Sequence, residues 1–221
     1  MQRQALIFGA TGAVGGELLK LCLEGDRYSR ITVIARRTTS LEHEKLHWIE
    51  AEFDALDGLE PVSGLVNGDA YCCLGTTIKA AGSEAAFRRV DHDFVLNSAR
   101  YAKRCGVRQF SMVSALGANP ESSTLYNRTK GEVEAAVLAE DFPLLQVFRP
   151  SLLKGKRDEL RLVEEIGNWA SFLMTPLFHL GLRRYQPVEI SKLARALYVS
   201  AGEDRSNGTH FVFESDEIQT Y

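Results

Sequence analysis

Residues 5–16 read ALIFGATGAVGG, an apolar run that leads into a turn with glycine at positions 9, 12 and 15. An amphipathic segment follows at once, with apolar residues on one stripe from Val14 to Leu23 and Gly25 as a stop. A short unbroken apolar run is typical of a strand covered on both faces, and a stripe with a period near 3.6 is typical of a helix. The order strand, glycine turn, helix predicts a phosphate-binding turn.

Each glycine has a separate part in such a turn. Gly9 permits the tight bend, Gly12 lets the backbone approach a pyrophosphate, and Gly15 lets the helix pack close to the sheet. The free amides and the positive end of the helix dipole then face the phosphates. We therefore predict that a dinucleotide contacts Gly9, Thr11, Gly12, Ala13, Val14 and Gly15; a glycine-rich turn without a ligand is the alternative.

Further apolar runs alternate with helical patterns along the chain. The runs are Ile31–Ala35, Ala70–Leu74, Phe110–Val113 and Leu144–Phe148, with a late strand at His210–Phe213, and the helical patterns include Ala85–Lys103, Gly131–Ala139 and Ser191–Ala201. This alternation predicts an α/β fold, a Rossmann-like doubly wound parallel sheet with helices on both faces.

The domain organisation follows from the absence of repeats and linkers. We predict one domain over residues 1–221, in which residues 151–190 form a small substrate-side subdomain or lid towards the C-terminus. That region carries an apolar stripe that is read either as core or as a cover over the active site, namely Trp169, Phe172, Leu173, Leu177 and Phe178.

Composition excludes several classes of protein. The 221 residues are 45% hydrophobic and 25% charged with a formal net charge of −3, which excludes a disordered chain and argues against a nucleic-acid groove. Four cysteines without CxxC spacing fit a reducing compartment. The longest apolar stretch, 166–182, contains Pro176 and His179 and falls short of a membrane span. We therefore expect a soluble cytoplasmic protein, a monomer or at most a weak homodimer.

Two arginines follow the second predicted strand. A site that prefers NAD places Asp or Glu about 20 residues after the glycine turn, to bind the ribose 2′-hydroxyl. This chain has Arg36 and Arg37 there, and guanidinium groups suit a 2′-phosphate. The sequence thus predicts NADP(H) as the cofactor, with solvated surface arginines as the alternative.

Several motifs together resemble the short-chain dehydrogenase/reductase superfamily in its extended and atypical branches. Tyr126 and Lys130 are spaced as in the superfamily's YxxxK, and Ser114 precedes them at the end of a predicted strand. Four segments are more specifically similar to the Tat-interacting-protein-like atypical members: Cys72–Thr77, Arg89–Leu96, Lys130–Glu134 and Phe148–Pro150.

The resemblance implies a Rossmann-like fold that binds NADPH. It implies that Gly75 and Thr76 pass the cofactor ribose, with Leu74 before them also binding the cofactor, that Asp54 lies near the adenine, and that the chain after Pro150 meets the nicotinamide. Extended members carry Asn where this chain has Asp91, which leaves the role of that position open.

The predicted catalytic residues are Ser114, Tyr126 and Lys130. Residues four apart share one face of a helix, so we expect the Lys130 ammonium to lower the pKa of the Tyr126 phenol, which is ordinarily about 10. Tyr126 would exchange a proton with a carbonyl oxygen, Ser114 would donate a hydrogen bond to it, and Lys130 would also hold the nicotinamide ribose. A core tyrosine beside a surface lysine is the alternative.

Three functions fit these residues. The leading hypothesis is an NADPH-dependent oxidoreductase that reduces a small, possibly apolar, carbonyl substrate with Tyr126 as general acid. The second is an NADPH-binding regulatory or interaction protein with little turnover, and the third is an epimerase or lyase with tightly held cofactor.

The string His43-Glu-Lys-Leu-His47 matches HExxH, but it lies in a short polar connection without a third ligand, so no metal site is predicted. Cys72 and Cys73 are expected to pack on opposite faces of a strand.

Overall fold

Seven parallel strands form one sheet in the computed structural model, which describes residues 2–155, 183–203 and 209–221. The strands of that sheet are β1 (Arg3–Phe8), β2 (Tyr28–Ala35), β3 (Leu46–Glu50), β4 (Asp69–Cys72), β5 (Gln109–Val113), β6 (Leu144–Arg149) and β9 (His210–Glu214). Their order is β3-β2-β1-β4-β5-β6-β9. Two further strands, β7 (Leu153–Lys154) and β8 (Val188–Glu189), pair with each other in parallel. The predicted Rossmann-like doubly wound sheet is confirmed.

The helices connect the strands on both faces of the sheet. They are α1 (Ala13–Glu24), α2 (Ile78–Ala81), α3 (Glu84–Arg88), α4 (Phe94–Arg104), α5 (Leu125–Leu138), α6 (Ile190–Ser200) and α7 (Ser215–Ile218). Short 3-10 turns occupy Leu56–Gly58 and Arg183–Tyr185, and a π-helical turn occupies Arg89–Asp93 between α3 and α4.

Alternating side chains of β1 build the two halves of the core. Ala5 and Ile7 pack on one face with residues of α1 and α6, whereas Leu6 and Phe8 pack on the other face with residues of α4 and α5. All four side chains are fully buried, which explains why the run from Ala5 to Phe8 contains no polar residue.

The predicted helix over Ala85–Lys103 forms without a break, and it contains a π-helical turn that the sequence does not show. The chain forms α3, then the π-helical turn at Arg89–Asp93, then α4. A π turn adds a residue to the helical repeat and rotates the side chains that follow, which a 3.6-residue pattern in the sequence does not reveal. The turn leaves Asp91 fully buried.

Strand order reverses at β1. This strand pairs with β2 on one side and with β4 on the other, so the chain crosses the sheet between β3 and β4. In open parallel sheets, ligands bind outside the carboxyl ends of the strands at such a point. The residues after β1 and β4 therefore line the crevice in which a dinucleotide is expected.

At the amino-terminal ends of the strands, opposite the glycine turn, buried charges stabilise the sheet. Asp69 is fully buried, and its carboxylate lies 3.3 Å from Arg3 Nη1 and 3.0 Å from Arg108 Nη2. The Tyr28 hydroxyl donates to the same carboxylate at 2.8 Å. Both arginines also donate to the carbonyl of Ala201, which ties the end of α6 to the sheet.

The proposed lid over residues 151–190 lies mainly outside the described residues, as does its whole apolar stripe. What the structure describes is its base, where Leu153 pairs with Val188 and Lys154 with Glu189. Among the described residues, no helix is long and apolar enough to cross a membrane. The division of the chain into one domain with a substrate-side region stays a prediction.

Gly15 gives a test of the close packing of α1. A Cβ added at Gly15 would lie 2.1 Å from the Gly9 carbonyl oxygen, whereas one added at Gly16 would lie 3.5 Å from the Ala10 carbonyl oxygen. We expect Gly15→Ala to lower the free energy of unfolding in urea by at least about 2–3 kcal/mol, since the backbone must move. Gly16→Ala, the matched control, should be neutral or raise it by up to about 1 kcal/mol, because alanine is the better helix former. Equal effects of the two substitutions would contradict this packing.

Candidate active site

The turn after β1 forms a tight backbone cradle. Gly9 has φ +82°, and a Cβ there would lie 2.8 Å from the carbonyl carbon of Cys73. The Gly12 amide donates to the Gly9 carbonyl at 3.0 Å, and α1 begins directly afterwards at Ala13. A Cβ at Gly12 would meet only that carbonyl oxygen, at 3.4 Å, so the space above this backbone is open. The first-turn amides of α1 have no partner within the helix and point towards this space.

The residues of this turn that are predicted to contact a dinucleotide become more buried along the chain. Thr11 and Gly12 are exposed, Ala13 is half-buried, and Val14 and Gly15 are buried against the sheet. The exposed residues can meet a ligand, and the buried ones position the helix that carries the amides. This arrangement fits a pyrophosphate.

Arg36 and Arg37 come directly after β2 and are both exposed. Within the part of the chain that the structure describes, neither has a carboxylate partner. Two guanidinium groups at the carboxyl end of the strand next to β1 can bind an anionic group there.

The loop after β4 brings a buried ion pair to the same crevice. Lys130 Nζ lies 2.7 Å from Asp91 Oδ1, and the Thr76 amide donates to Asp91 Oδ2 at 2.8 Å. A Cβ at Gly75 would lie 3.4 Å from Asp91 Oδ1 and 3.6 Å from Lys130 Nζ. Leu74 is half-buried and packs at the edge of the core. Gly75 therefore lies next to Lys130, and the Thr76 amide binds the same carboxylate as Lys130.

Tyr126 lies in the first turn of α5 and stacks on Phe87, with ring centroids 5.6 Å apart. The tyrosine keeps 36% of its surface exposed, yet the protein packed around its ring desolvates the phenol and raises its pKa. Lys130 lowers the pKa of Tyr126 and Asp91 raises it. The predicted lowering by Lys130 is present, but the net shift is upward, because burial and the Asp91 charge oppose it.

Ser114 follows β5 and is buried, and its hydroxyl donates to Glu134. Arg149 binds the same carboxylate in two places, with Nε 3.0 Å from Oε1 and Nη2 2.5 Å from Oε2. A carboxylate paired in this way only accepts hydrogen bonds, so it takes the single hydrogen of the hydroxyl. Ser114 is therefore not the free donor that the sequence predicts.

Two further predicted residues also follow the carboxyl ends of strands. Asp54 comes after β3, is exposed, and pairs with the Arg89 guanidinium, whose Nε lies 2.9 Å from Oδ2. Pro150 comes directly after β6, is buried, and accepts a hydrogen bond from the Leu116 amide at 2.8 Å. Both lie on the edge of the sheet that holds the glycine turn, and their contacts with adenine and nicotinamide stay predictions.

Three site residues lacked a strong signal in the sequence. Asp91 stands in a helical pattern, and only the π turn directs it at Lys130. Glu134 follows Lys130 by four residues, so helical spacing places it on the face of Tyr126 and Lys130. Arg149 closes an otherwise apolar strand, and a lone charge at such a place is a signal that could have been used.

The HExxH string has no helix to support it. His43 lies in the connection before β3 and His47 lies on β3, both exposed. The described residues contain no group of three or more His, Cys, Asp or Glu that could hold a metal ion.

Cys72 packs with one half of the core and Cys73 with the other, as predicted from their adjacent positions. Burial raises the pKa of both thiols.

Comparison with solved structures supports the fold. The chain resembles MoeE5 in complex with UDP-glucose and NAD, with a TM-score of 0.64, 16% identity and coverage of 98% of this chain and 80% of that one. It also resembles the UDP-glucose 4-epimerase of Thermotoga maritima, with a TM-score of 0.65, 16% identity and coverage of 95% and 75%. At these identities the likeness shows the Rossmann-like fold alone.

Sequence relatives are more informative. Protein HTATIP2 of Rattus norvegicus is 40% identical over 161 residues, which are 72% of this chain and 66% of that protein, just under two thirds of its length. Protein FMP52-2, mitochondrial, of Scheffersomyces stipitis is 31% identical over 80% of this chain and 82% of that protein. The FMP52 proteins of Coccidioides immitis and Candida albicans are likewise named mitochondrial. These names contradict the prediction of a cytoplasmic protein, which rested on the cysteine usage and on the lack of a membrane-spanning stretch.

The family itself is identified by a match over residues 9–154, described as NAD(P)H-binding. That range begins at the first glycine of the turn and ends after Pro150, so it contains the cradle, the arginines after β2 and the Tyr126–Lys130 pair. The resemblance to Tat-interacting-protein-like proteins is confirmed by the same relatives. This chain belongs to the NAD(P)H-binding family and, within it, to the atypical short-chain dehydrogenase/reductase proteins represented by HTATIP2 and FMP52.

Proposed function

We propose that this protein is an NADPH-dependent oxidoreductase that reduces a carbonyl compound, with Tyr126 as general acid. The observation that carries the proposal is that the glycine turn after β1 and the Lys130 ammonium both lie against the loop that follows β4. A Cβ added at Gly9 would lie 2.8 Å from the carbonyl carbon of Cys73, which is two residues before Gly75. A Cβ added at Gly75 would lie 3.6 Å from Lys130 Nζ. A dinucleotide bound at the glycine turn would thus extend past Gly75 to Lys130, the lysine of the YxxxK motif.

The cofactor fits the residues present. The open space above Gly12 and the amides of α1 would hold the pyrophosphate, and Arg36 and Arg37 would bind a 2′-phosphate. Lys130 would hold the nicotinamide ribose. When bound, the reduced nicotinamide supplies the hydride.

Tyr126 is the proton donor in this proposal. Because its pKa is raised, the phenol keeps its proton at neutral pH and can donate it to an oxygen on which negative charge develops. The same shift makes its phenolate scarce, and a scarce base is a poor catalyst for alcohol oxidation. At neutral pH the phenol is therefore present in its acid form, the form that carbonyl reduction requires. Phe87 supports the ring from one side and limits its movement.

An NADPH-binding regulatory protein with little turnover is the second candidate. The Ser114–Glu134 hydrogen bond favours it, since it engages one of the two hydroxyl groups predicted to donate to a substrate oxygen and leaves Tyr126 as the other. NADPH deuterated at the nicotinamide C4 separates the functions. An oxidoreductase transfers deuterium to a reduced product, and a regulator yields no product. An epimerase takes hydride from its substrate onto oxidised cofactor and returns it, so it converts substrate without consuming NADPH.

The preference for NADPH can be tested at Arg36 and Arg37. We expect their joint replacement by alanine to weaken NADPH binding by about 10- to 100-fold and NADH binding by less than about threefold, because charge-assisted hydrogen bonds contribute about 1.5–3 kcal/mol. Nicotinamide fluorescence titration gives both dissociation constants. Arg30→Ala, an exposed arginine on the same strand, is the control and should change neither. Equal losses for the two cofactors would contradict a 2′-phosphate site.

The proton role can be tested with Tyr126→Phe. On a carbonyl compound that the wild type reduces, we expect kcat to fall by about 100-fold or more while NADPH binding is retained. For the wild type, the rate of reduction should stay flat from about pH 6 to about pH 9, because the acid is active while protonated and its raised pKa delays ionisation. Tyr198→Phe on α6 is the control. Full turnover by Tyr126→Phe would exclude Tyr126 as the acid.

A further inference from the structure

Asp91 is a buried carboxylate that the proposed reaction does not use directly. It lies in the π-helical turn Arg89–Asp93 and has no exposed surface. Isolated π turns occur frequently at functional sites, because the extra residue redirects a side chain. Here the redirected side chain lies at the carboxyl end of β4, beside the loop that carries Gly75 and Thr76.

The two oxygens of Asp91 join three separate elements. Oδ1 lies 2.7 Å from Lys130 Nζ on α5, and Oδ2 accepts the Thr76 amide at 2.8 Å. The Lys130 and Asp91 side chains are 4% and 1% exposed. The loop after β4, the π turn and α5 are therefore connected through one carboxylate.

The charge on Asp91 matters as much as its shape. Burial favours loss of the Lys130 proton, and Asp91 opposes this so strongly that the pKa of the ammonium is raised. The other titratable groups acting on Lys130 are the Tyr126 phenol on α5 and the Cys72 thiol at the end of β4. Burial raises the pKa of Cys72 to about 12, so this thiol stays neutral at physiological pH.

Charges on neighbouring helices do not replace Asp91. Those on α3 and α4 form ion pairs of their own, Arg88 with Glu132 on α5 and Arg100 with Glu140 just after α5, and all four side chains are more exposed than Asp91. Removing the carboxylate would leave a buried ammonium without compensation, which is the costly state for an ion pair.

We propose that Asp91 is a positioning residue for cofactor binding, which holds the Lys130 ammonium charged and the Thr76 backbone in place where the cofactor ribose lies. The inference rests on the proposed function, because it assumes that NADPH meets Lys130. Asp91 itself contacts neither cofactor nor substrate in this assignment. It acts through its two partners.

The test is the pH dependence of NADPH binding by Asp91→Asn. Asparagine has the same size and can still accept the Thr76 amide, but it carries no charge to stabilise the ammonium. Lys130 should then lose its proton as the pH rises, so the Kd ratio of variant to wild type should increase about tenfold between about pH 6 and about pH 9. A purely structural loss would give the same ratio at every pH.

Asp93→Asn is the matched control. Asp93 lies in the same π turn, but it is 57% exposed and pairs with His92 instead of Lys130. Its Kd ratio should stay near one at every pH. A flat ratio for Asp91→Asn, with NADPH binding by the wild type intact, would overturn the role of Asp91 and leave the proposed function standing. A wild type that does not bind NADPH would overturn the proposed function, and this inference with it.

A second variant covers the case in which Asp91→Asn does not fold. Asp91→Asn/Lys130→Met removes both charges and leaves no buried ion alone. Folding of the double variant, judged by circular dichroism and thermal unfolding, would support the charge pairing as the reason for the first loss. A double variant as unfolded as the single one would overturn it.

Discussion

Backbone-to-backbone contact at the start of the chain constrains everything else in this protein. Gly15 brings α1 so close to the turn that a Cβ would lie 2.1 Å from the Gly9 carbonyl oxygen, and Gly9 in turn presses on Cys73 after β4. Side chains of any size would separate β1, α1 and β4. Their approach creates the crevice at the reversal of strand order and directs the helix amides into it.

Paired charges then organise the rest of the same edge of the sheet. Lys130 is neutralised by Asp91, and Glu134 is held by Arg149 and takes the hydrogen of the Ser114 hydroxyl. Buried charges of this kind are retained only when each has a partner, so the first pair holds α5 against the π-helical turn and the second holds it against β5 and β6. As a result, the Tyr126 phenol keeps its proton at neutral pH, and the Ser114 hydroxyl is engaged as a hydrogen-bond donor to Glu134.

Prediction from sequence succeeded where a pattern is local. The apolar runs matched strands, the glycine turn lies between β1 and α1, and Arg36 and Arg37 follow β2 as expected. It failed where distant residues meet. The π turn lies inside the expected helix over Ala85–Lys103 and redirects its side chains, and the upward pKa shift of Tyr126 comes from burial and then from Asp91, which is 35 residues earlier in the chain. Neither effect leaves a mark in a helical period.

The amino-acid order by itself determined the parallel α/β sheet, the glycine turn between β1 and α1, and the helical spacing of Tyr126 and Lys130. These depend on residue type, strand length and spacing, which are properties of short segments. Only the tertiary structure decided the state of the site, that is, which carboxylate faces Lys130 and which acceptor takes the Ser114 hydrogen. The physical reason is that electrostatic and hydrogen-bond energies depend on distance and burial, and both are set by elements that approach one another only after the chain has folded.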